Sequence, residues 1–328
     1  MTPPYTITPE ILKLIESIGV SLGEINGRYL TKPTPQLRKE NRIRTIQASL
    51  AIEGNSLSLE QITAILSGKR VIGSQREIVE VRNAIETYDR LESFDPFSTT
   101  SFLSAHGALM KGLIDDAGKF RRKSVGIMHG SKVAHIAPPA SGVKGLMQEL
   151  MKYAKQAPDS MLIKSCVFHY EMEFIHPFMD GNGRMGRLWQ TLLLSKHHPV
   201  FSSLPFETII RDTQQDYYKA LASSDKLGQS TPFIAYMLGV IDESLRGLTK
   251  DTNPVLKESD RVQYFLSLKN ESLDAGARAE SRAFTRKDYM QVFKTLSTAT
   301  ASRDLNAAVK CGVLQRMGEG NQARYGEG

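Results

Sequence analysis

Residues 176–187 read HPFMDGNGRMGR, and the chain on either side of them is helical in pattern. Upstream, Asp159–Ile175 places Leu162, Ile163, Val167, Tyr170 and Phe174 at helical spacing, which predicts a helix that packs along that face and runs rigidly into His176. Pro177 disfavours the helical region for the residue before it, so His176 should begin a turn. Asp180-Gly181-Asn182-Gly183 then admits backbone with positive φ, and the apolar pattern resumes at Leu188, Leu192 and Leu193, predicting a helix over Gly183–Lys196. The unit is helix, glycine-rich loop, helix, with Phe178 expected to turn inward and anchor the loop.

Such a loop points unpaired N–H groups at one spot in front of a helix whose dipole favours negative charge there. The backbone of Gly181, Asn182 and Gly183 is therefore a candidate phosphate cradle. Arg184 and Arg187 rise three apart from the same helix and could each grip a phosphate with paired donors. Asp180 offers a hard carboxylate suited to Mg²⁺ that keeps several waters and bridges phosphates, and Mn²⁺ would serve equally. His176, whose ordinary pKa is about 6.5, is left as the general base.

Outward from this loop helical periodicity runs from Thr8 to about Leu248, so the main body should be all-α. Helices are expected at Pro9–Gly19, over about 37–54, and from Leu59, where Ser58 and Gln61 form a capping box and Leu57 and Ile62 a staple. A turn at Thr31–Pro35 containing Pro33 should separate the first two. Further helices follow at Glu77–Ser93, Ser98–Lys111, Gly142–Gln156, Thr213–Ser223 and Pro232–Leu248. VGIMHGSKVAHI, residues 125–136, breaks the pattern and reads as a hairpin turning at Gly130-Ser131. The polar stretch 249–259 reads as a linker. After it, helices at Arg261–Leu268, Arg286–Phe293 and Thr300–Val309 and two strands around GEGN give a winged-helix-like α+β unit over 260–328.

The 328 residues carry 42 Lys and Arg against 35 Asp and Glu, a net charge of +7 that suits polyphosphate or nucleic acid without choosing between them. Cys166 and Cys311 are too few and too far apart for a disulfide framework or a zinc site. His169, His197 and His198 are expected on helix surfaces or ends, and Arg121-Arg122-Lys123 as a solvated loop. With no signal-peptide pattern at the start and no apolar run of about 18 residues, a cytoplasmic protein without membrane attachment is expected.

HPFMDGNGRMGR resembles the Fic signature, His-x-Phe-x-(Asp or Glu)-Gly-Asn-Gly-Arg-x-x-Arg, at every specified position, and the likeness takes in GKFRR at 118–122 and DYYKAL at 216–221. The resemblance implies a mainly α fold in which an all-helical core, residues 97–248, carries a small β-hairpin flap. It also implies that His176 deprotonates a Ser, Thr or Tyr hydroxyl of a target protein. Asp180 would then hold the metal while the loop amides, Arg184 and Arg187 hold ATP. The phosphate-transferring Doc branch replaces the second loop glycine by lysine; Gly183 therefore favours transfer of AMP. Tyr217 and Tyr218 would border the nucleoside, and Val125, Ile127, Val133, His135 and Ile136 would line the flap that holds the target by strand addition.

SLAIEGN, residues 49–55, resembles the family's inhibitory motif (Ser or Thr)-x-x-x-Glu-(Gly or Asn), here Ser49 and Glu53, within an N-terminal region 1–96. Glu53 at a helix C-terminus faces the negative end of the dipole and needs a cation, for which Arg187 is the natural partner. A carboxylate there would occupy the γ-phosphate grip. Two other functions stay open: removal of AMP at the same site, and a DNA-binding regulator with a vestigial core. For partners, a second copy of the chain and, through 260–328, DNA are likewise open, with Arg303, Lys310 and Arg324 as the cations and Asp304 mixed among them.

Overall fold

Helix α1 (Pro9–Gly27) opens the chain, and α2 (Pro35–Ile52), α3 (Leu59–Leu66) and α4 (Gln75–Asp89) follow it before α5 (Thr99–Leu109). A computed structural model of the chain describes residues 3–27, 35–129, 132–251, 258–272, 283–293, 296–318 and 323–327. The expected turn at 31–35 falls mostly outside them. The restart after Gly54 forms as its residues dictate: the Ser58 hydroxyl accepts from the Gln61 N–H, and the Gln61 side chain accepts from the Ser58 N–H. Leu57 and Ile62 are both buried. Helix α2 stops at Ile52, so Glu53 and Gly54 form a turn, with Gly54 at φ 92°.

Strands β1 (Gly126–His129) and β2 (Lys132–Ile136) pair antiparallel, with Gly126 opposite Ile136 and an irregularity between Ile127 and Met128. The predicted tip at Gly130-Ser131 lies outside the described residues, as do the side chains of Ile127, Val133, His135 and Ile136; Val125 is half-buried just before β1. Next come α6 (Ala140–Gln156), α7 (Met161–Ile175), α8 (Asn182–His197), α9 (Phe206–Asp212), α10 (Gln214–Leu227) and α11 (Thr231–Asp251).

The core centres on α7 and α8. Leu162, Ile163, Val167 and Tyr170 are buried as their spacing predicts, and so are Leu188, Trp189, Leu192 and Leu193 on α8. Phe174 departs from the expectation and is 37% exposed. Its helix is surrounded on nearly every side, so Lys164, His169 and Glu173 are buried as well, and Phe174 falls on the rim. His169 is likewise a core residue rather than a surface one.

The chain divides into two compact units, Met1–Lys250 and Asp251–Gly328. Helix α11 continues through Thr249–Asp251, into the stretch read as a linker; Pro254 lies among 252–257, outside the described residues. The second unit contains α12 (Glu258–Ser272), β3 (Phe284–Thr285), α13 (Arg286–Val292), α14 (Thr298–Lys310), β4 (Leu314–Met317) and β5 (Arg324–Glu327). Its strands form an antiparallel sheet in the order β3-β5-β4 around Phe265, Phe284, Tyr289, Leu305 and Tyr325. Two-residue β3 has no periodicity to announce it, and residues 319–322 of the expected turn lie outside the described residues.

Asp304 is not among the surface charges of α14. It is fully buried and accepts from Arg261 Nε at 2.5 Å and Nη2 at 2.6 Å, and from the Tyr289 hydroxyl at 3.1 Å. A buried carboxylate persists where paired donors replace its water. Among the described residues no helix is long and apolar enough to cross a membrane.

Candidate active site

Helix α7 ends on His176, whose φ of 48° and ψ of 62° place it in the left-handed region, the one described non-glycine residue with positive φ. That conformation costs of order 1 kcal/mol and needs support from its surroundings. Arg121 supplies it. This guanidinium is 2% exposed and donates to the carbonyls of His176 (2.8 Å), Ile175 (3.2 Å), Pro138 (2.6 Å) and Lys123 (2.9 Å), while the Arg121 N–H reaches the Pro177 carbonyl at 2.9 Å. Arg121 is therefore no part of a solvated loop, although Arg122 and Lys123 are exposed. A cation fits there because the carbonyls at a helix C-terminus are otherwise orphaned.

The loop is closed from inside. Asn182 Oδ1 accepts from the Phe178 N–H at 2.9 Å, and its Nδ2 donates back to the Phe178 carbonyl at 3.0 Å. The Asn182 side chain is thus a brace, 2% exposed, and only its backbone can face a ligand. Phe178 is buried as expected and stacks on His106, with ring centroids 3.5 Å apart. His106 Nδ1 accepts from the Gly118 N–H at 2.9 Å, so Nε2 carries the proton and donates to the Asp180 carbonyl at 3.0 Å. Burial pushes its pKa down to about 4, which keeps the ring neutral. Gly181 has φ 84°, and a Cβ there would meet Met110 Sδ at 2.7 Å. No described residue accepts from the N–H groups of Asn182, Gly183 or Arg184 at the start of α8.

Both charged groups beyond the loop have partners. Asp180 accepts from Arg184 Nη2 at 2.9 Å and, through its other oxygen, from Arg76 Nη2 at 3.3 Å. Arg184 is 4% exposed, lies 3.5 Å from Glu80, and keeps a buried Nε with no partner. Asn55 donates to Glu80 at 2.9 Å, which ties the turn after α2 to α4. Among the described residues no three carboxylate, histidine or cysteine groups cluster as a metal cage. Asp180, a single half-exposed carboxylate, fits a hard cation that takes its other ligands from phosphate and water.

Arg187 is fully buried. It donates from Nε to Ser49 Oγ at 3.0 Å, and from Nη2 to the Ser49 carbonyl and to Glu53 Oε1, both at 2.9 Å. The Glu53 carboxylate also lies against the first turn of α8: a Cβ on Gly183 would be 2.4 Å from Oε1. Residues 134 apart in sequence thus meet where the loop aims its amides.

Tyr217 is a core residue, 2% exposed, and its hydroxyl lies 3.2 Å from His169 Nε2. It cannot border a ligand in this arrangement because α7 covers it; Tyr218, half-buried beside it, keeps an accessible edge. His169 Nδ1 is 2.6 Å from Gln190 Oε1, and burial pushes its pKa down to about 3. His198 is a helix-end residue, accepting from the Val200 N–H at 3.3 Å. His106 on α5 and Arg76 and Glu80 on α4 escaped the sequence reading, as did the bracing role of Arg121, because all of them reach the loop from distant parts of the chain.

The Fic/DOC family model matches residues 96–194. The protein adenylyltransferase fic-1 of Caenorhabditis elegans is 24% identical over 241 residues, 69% of this chain and 44% of its own length. The protein adenylyltransferase Fic of Culex quinquefasciatus is 28% identical over 220 residues, 63% of this chain and 41% of its own. The chain thus spans less than half the length of these curated relatives. A crystal structure of a Fic family protein from Desulfovibrio desulfuricans is 41% identical, covers 100% of this chain and 98% of that one, and superposes with a TM-score of 0.75.

Replacing Arg121 by alanine should strip four carbonyls of their donor and release the backbone at His176. A stability loss of about 3 kcal/mol is expected, the range for deleting a buried charged donor. Urea unfolding followed by circular dichroism checks it, and a loss below 1 kcal/mol would show that the turn holds without Arg121.

Proposed function

Because the chain belongs to the Fic/DOC family, we propose that it transfers AMP from ATP to a hydroxyl of a target protein and that Glu53 restrains this activity. The observation that carries the reading is the 2.9 Å contact between Glu53 and the buried Arg187, with the carboxylate pressed onto Gly183. An anion already sits on the buried cation, in front of unpaired amides, at the start of a helix.

In the working state a triphosphate takes that place. The N–H groups of Asn182, Gly183 and Arg184 hold its oxygens, Arg187 grips the terminal phosphate, and the orphaned Nε of Arg184 finds an acceptor. Asp180 would hold Mg²⁺ or Mn²⁺, which supplies positive charge to the phosphates. His176 Nδ1 lies 3.3 Å from the Glu173 carbonyl. With Nδ1 donating to that carbonyl, Nε2 is the nitrogen that takes the proton of the target hydroxyl. The hydroxyl oxygen bonds to the α-phosphorus, the bond to the bridging oxygen breaks, and pyrophosphate leaves. The β1–β2 hairpin supports the target by offering backbone for an added strand.

The second unit favours DNA as a further partner. With Asp304 buried against Arg261, the exposed Arg303, Lys310, Arg316 and Arg324 face solvent without that carboxylate among them. Helix α14 followed by β4 and β5 gives the element order in which a recognition helix and wing would stand on this reading. Binding to duplex DNA should weaken by about two orders of magnitude or more between 50 and 200 mM salt if four phosphates are neutralised. An absence of gel shift at 50 mM salt would remove DNA from the reading.

His176→Ala should abolish labelling by radioactive ATP while leaving nucleotide affinity within about twofold, since the base acts on the hydroxyl. Undiminished labelling would end its assignment as base. Glu53→Gly should raise the labelling rate tenfold or more, equivalent to about 1.4 kcal/mol or more. Arg187→Ala should lower it and cancel the gain in the double mutant, because both changes act on one contact. Equal rates for wild type and a folded Glu53→Gly variant would refute the restraint. Release of AMP from a labelled target by that variant, without net labelling, would show that the site runs in the opposite direction.

A further inference from the structure

Three residues before the base, Glu173 is a carboxyl that the proposed chemistry does not use. It is 9% exposed, and its Oε1 has no hydrogen-bond partner. The left-handed turn at His176 folds the imidazole back over the last turn of α7. Nδ1 then lies 3.3 Å from the Glu173 carbonyl and 4.0 Å from its Oε2. Opposite, α8 comes so close that a Cβ on Gly186 would be 2.8 Å from Glu173 Oε1. Gly186 is a free position of the signature, and here the absent side chain makes room for the carboxyl.

We propose that Glu173 is a positioning residue for His176, a buried carboxylate that holds the Nδ1–H side of the ring and balances the imidazolium formed when Nε2 takes the target's proton. This rests on the transfer reading given above. The proton moves from the hydroxyl oxygen to His176 Nε2; Glu173 takes none and contributes charge alone. An imidazolium about 4 Å from a carboxylate in a poorly solvated pocket is favoured over one facing a neutral amide.

The groups that face Glu173 decide its charge. His169 Nε2, on its own helix, is 3.8 Å from Oε1 and stays neutral. Arg187 on α8 favours the carboxylate, whereas Glu53 after α2 disfavours it, and the buried Tyr217 and half-buried Tyr218 on α10 complete the surroundings. Burial is the largest effect, and the carboxyl is pushed up to about 8. With Glu53 in place Glu173 is therefore held in its acid form, of little use to the base. Removal of Glu53 lifts the smaller of these two influences, and an imidazolium forming at His176, with Nδ1 4.0 Å from Oε2, favours the charged form directly.

The test compares Glu53→Gly with Glu53→Gly/Glu173→Gln, both full length. The His176 imidazole is titrated by NMR, its signal assigned with His176→Ala, and kcat for target labelling is measured against pH. Loss of the carboxylate makes His176 a weaker base. Its titration midpoint and the acid limb of kcat should both fall by about one pH unit or more, with plateau kcat reduced severalfold and nucleotide KM unchanged. Glu173→Asp, which keeps the charge, should restore part of the shift. A lower kcat with both midpoints unmoved, or an upward shift, would overturn the proposal and leave Glu173 a packing residue. Should the Gln variant melt early, the Asp variant alone decides, since an unmoved midpoint with a carboxylate withdrawn by one methylene overturns it too. If Glu53→Gly labels nothing, the transfer reading fails, while the NMR midpoint still judges Glu173.

Discussion

Arg187 is a fully buried guanidinium, and the first unit is built around keeping it satisfied. A charge removed from water costs several kcal/mol unless an opposite charge and hydrogen-bond acceptors replace the solvent. Ser49 supplies two acceptors, and Glu53 supplies the charge. Helix α2 is thereby bound to α8, and the loop before α8 is placed between them. The position beside Arg187 calls for an anion at all times, a carboxylate at rest and, on the proposed reading, a phosphate at work.

A comparison within the chain shows why this pair can exchange partners. Arg261 in the second unit is also buried, but Asp304 takes it with both oxygens and is itself fully buried. The Arg261 side chain is only 8% exposed. Glu53 instead meets Arg187 through one oxygen, and its side chain is 31% exposed at the open end of α8. The geometry of the first suits permanent structure, and that of the second suits displacement.

The loop itself is held by groups that do not face the ligand side. Arg121 fixes the His176 turn through carbonyls, His106 fixes Asp180 through its backbone, and Asn182 ties the ends together. Their burial lets the remaining amides of α8 stay unpaired without collapse, because the loop has no freedom to fold back and satisfy them. Preorganisation here is a property of side chains drawn from α5, the segment before the flap, and α8 itself.

How much of this the residues announce depends on range. Glycine, proline, capping serines and apolar spacing act within a few residues of themselves, so the helix-loop-helix around 176–187, the Ser58 restart, the hairpin and most helices follow directly from the sequence. The motif at 49–55 marks Glu53, and the charge rule at a helix end points it to Arg187. What local pattern could not supply was burial and partnership across distant segments. Arg121 reads as a surface charge, His169 as a helix decoration, Tyr217 as a pocket wall and Asp304 as an exposed acid, because nothing nearby shows what will cover them. The packing of α7 against α8 and α10 covers His169 and Tyr217, and Arg261 reaches Asp304 from a helix 43 residues away. Sequence alone determined most of the elements and the residue types of the loop; the tertiary structure decided which polar groups leave water, since desolvation is a property of the assembled core and not of any one segment.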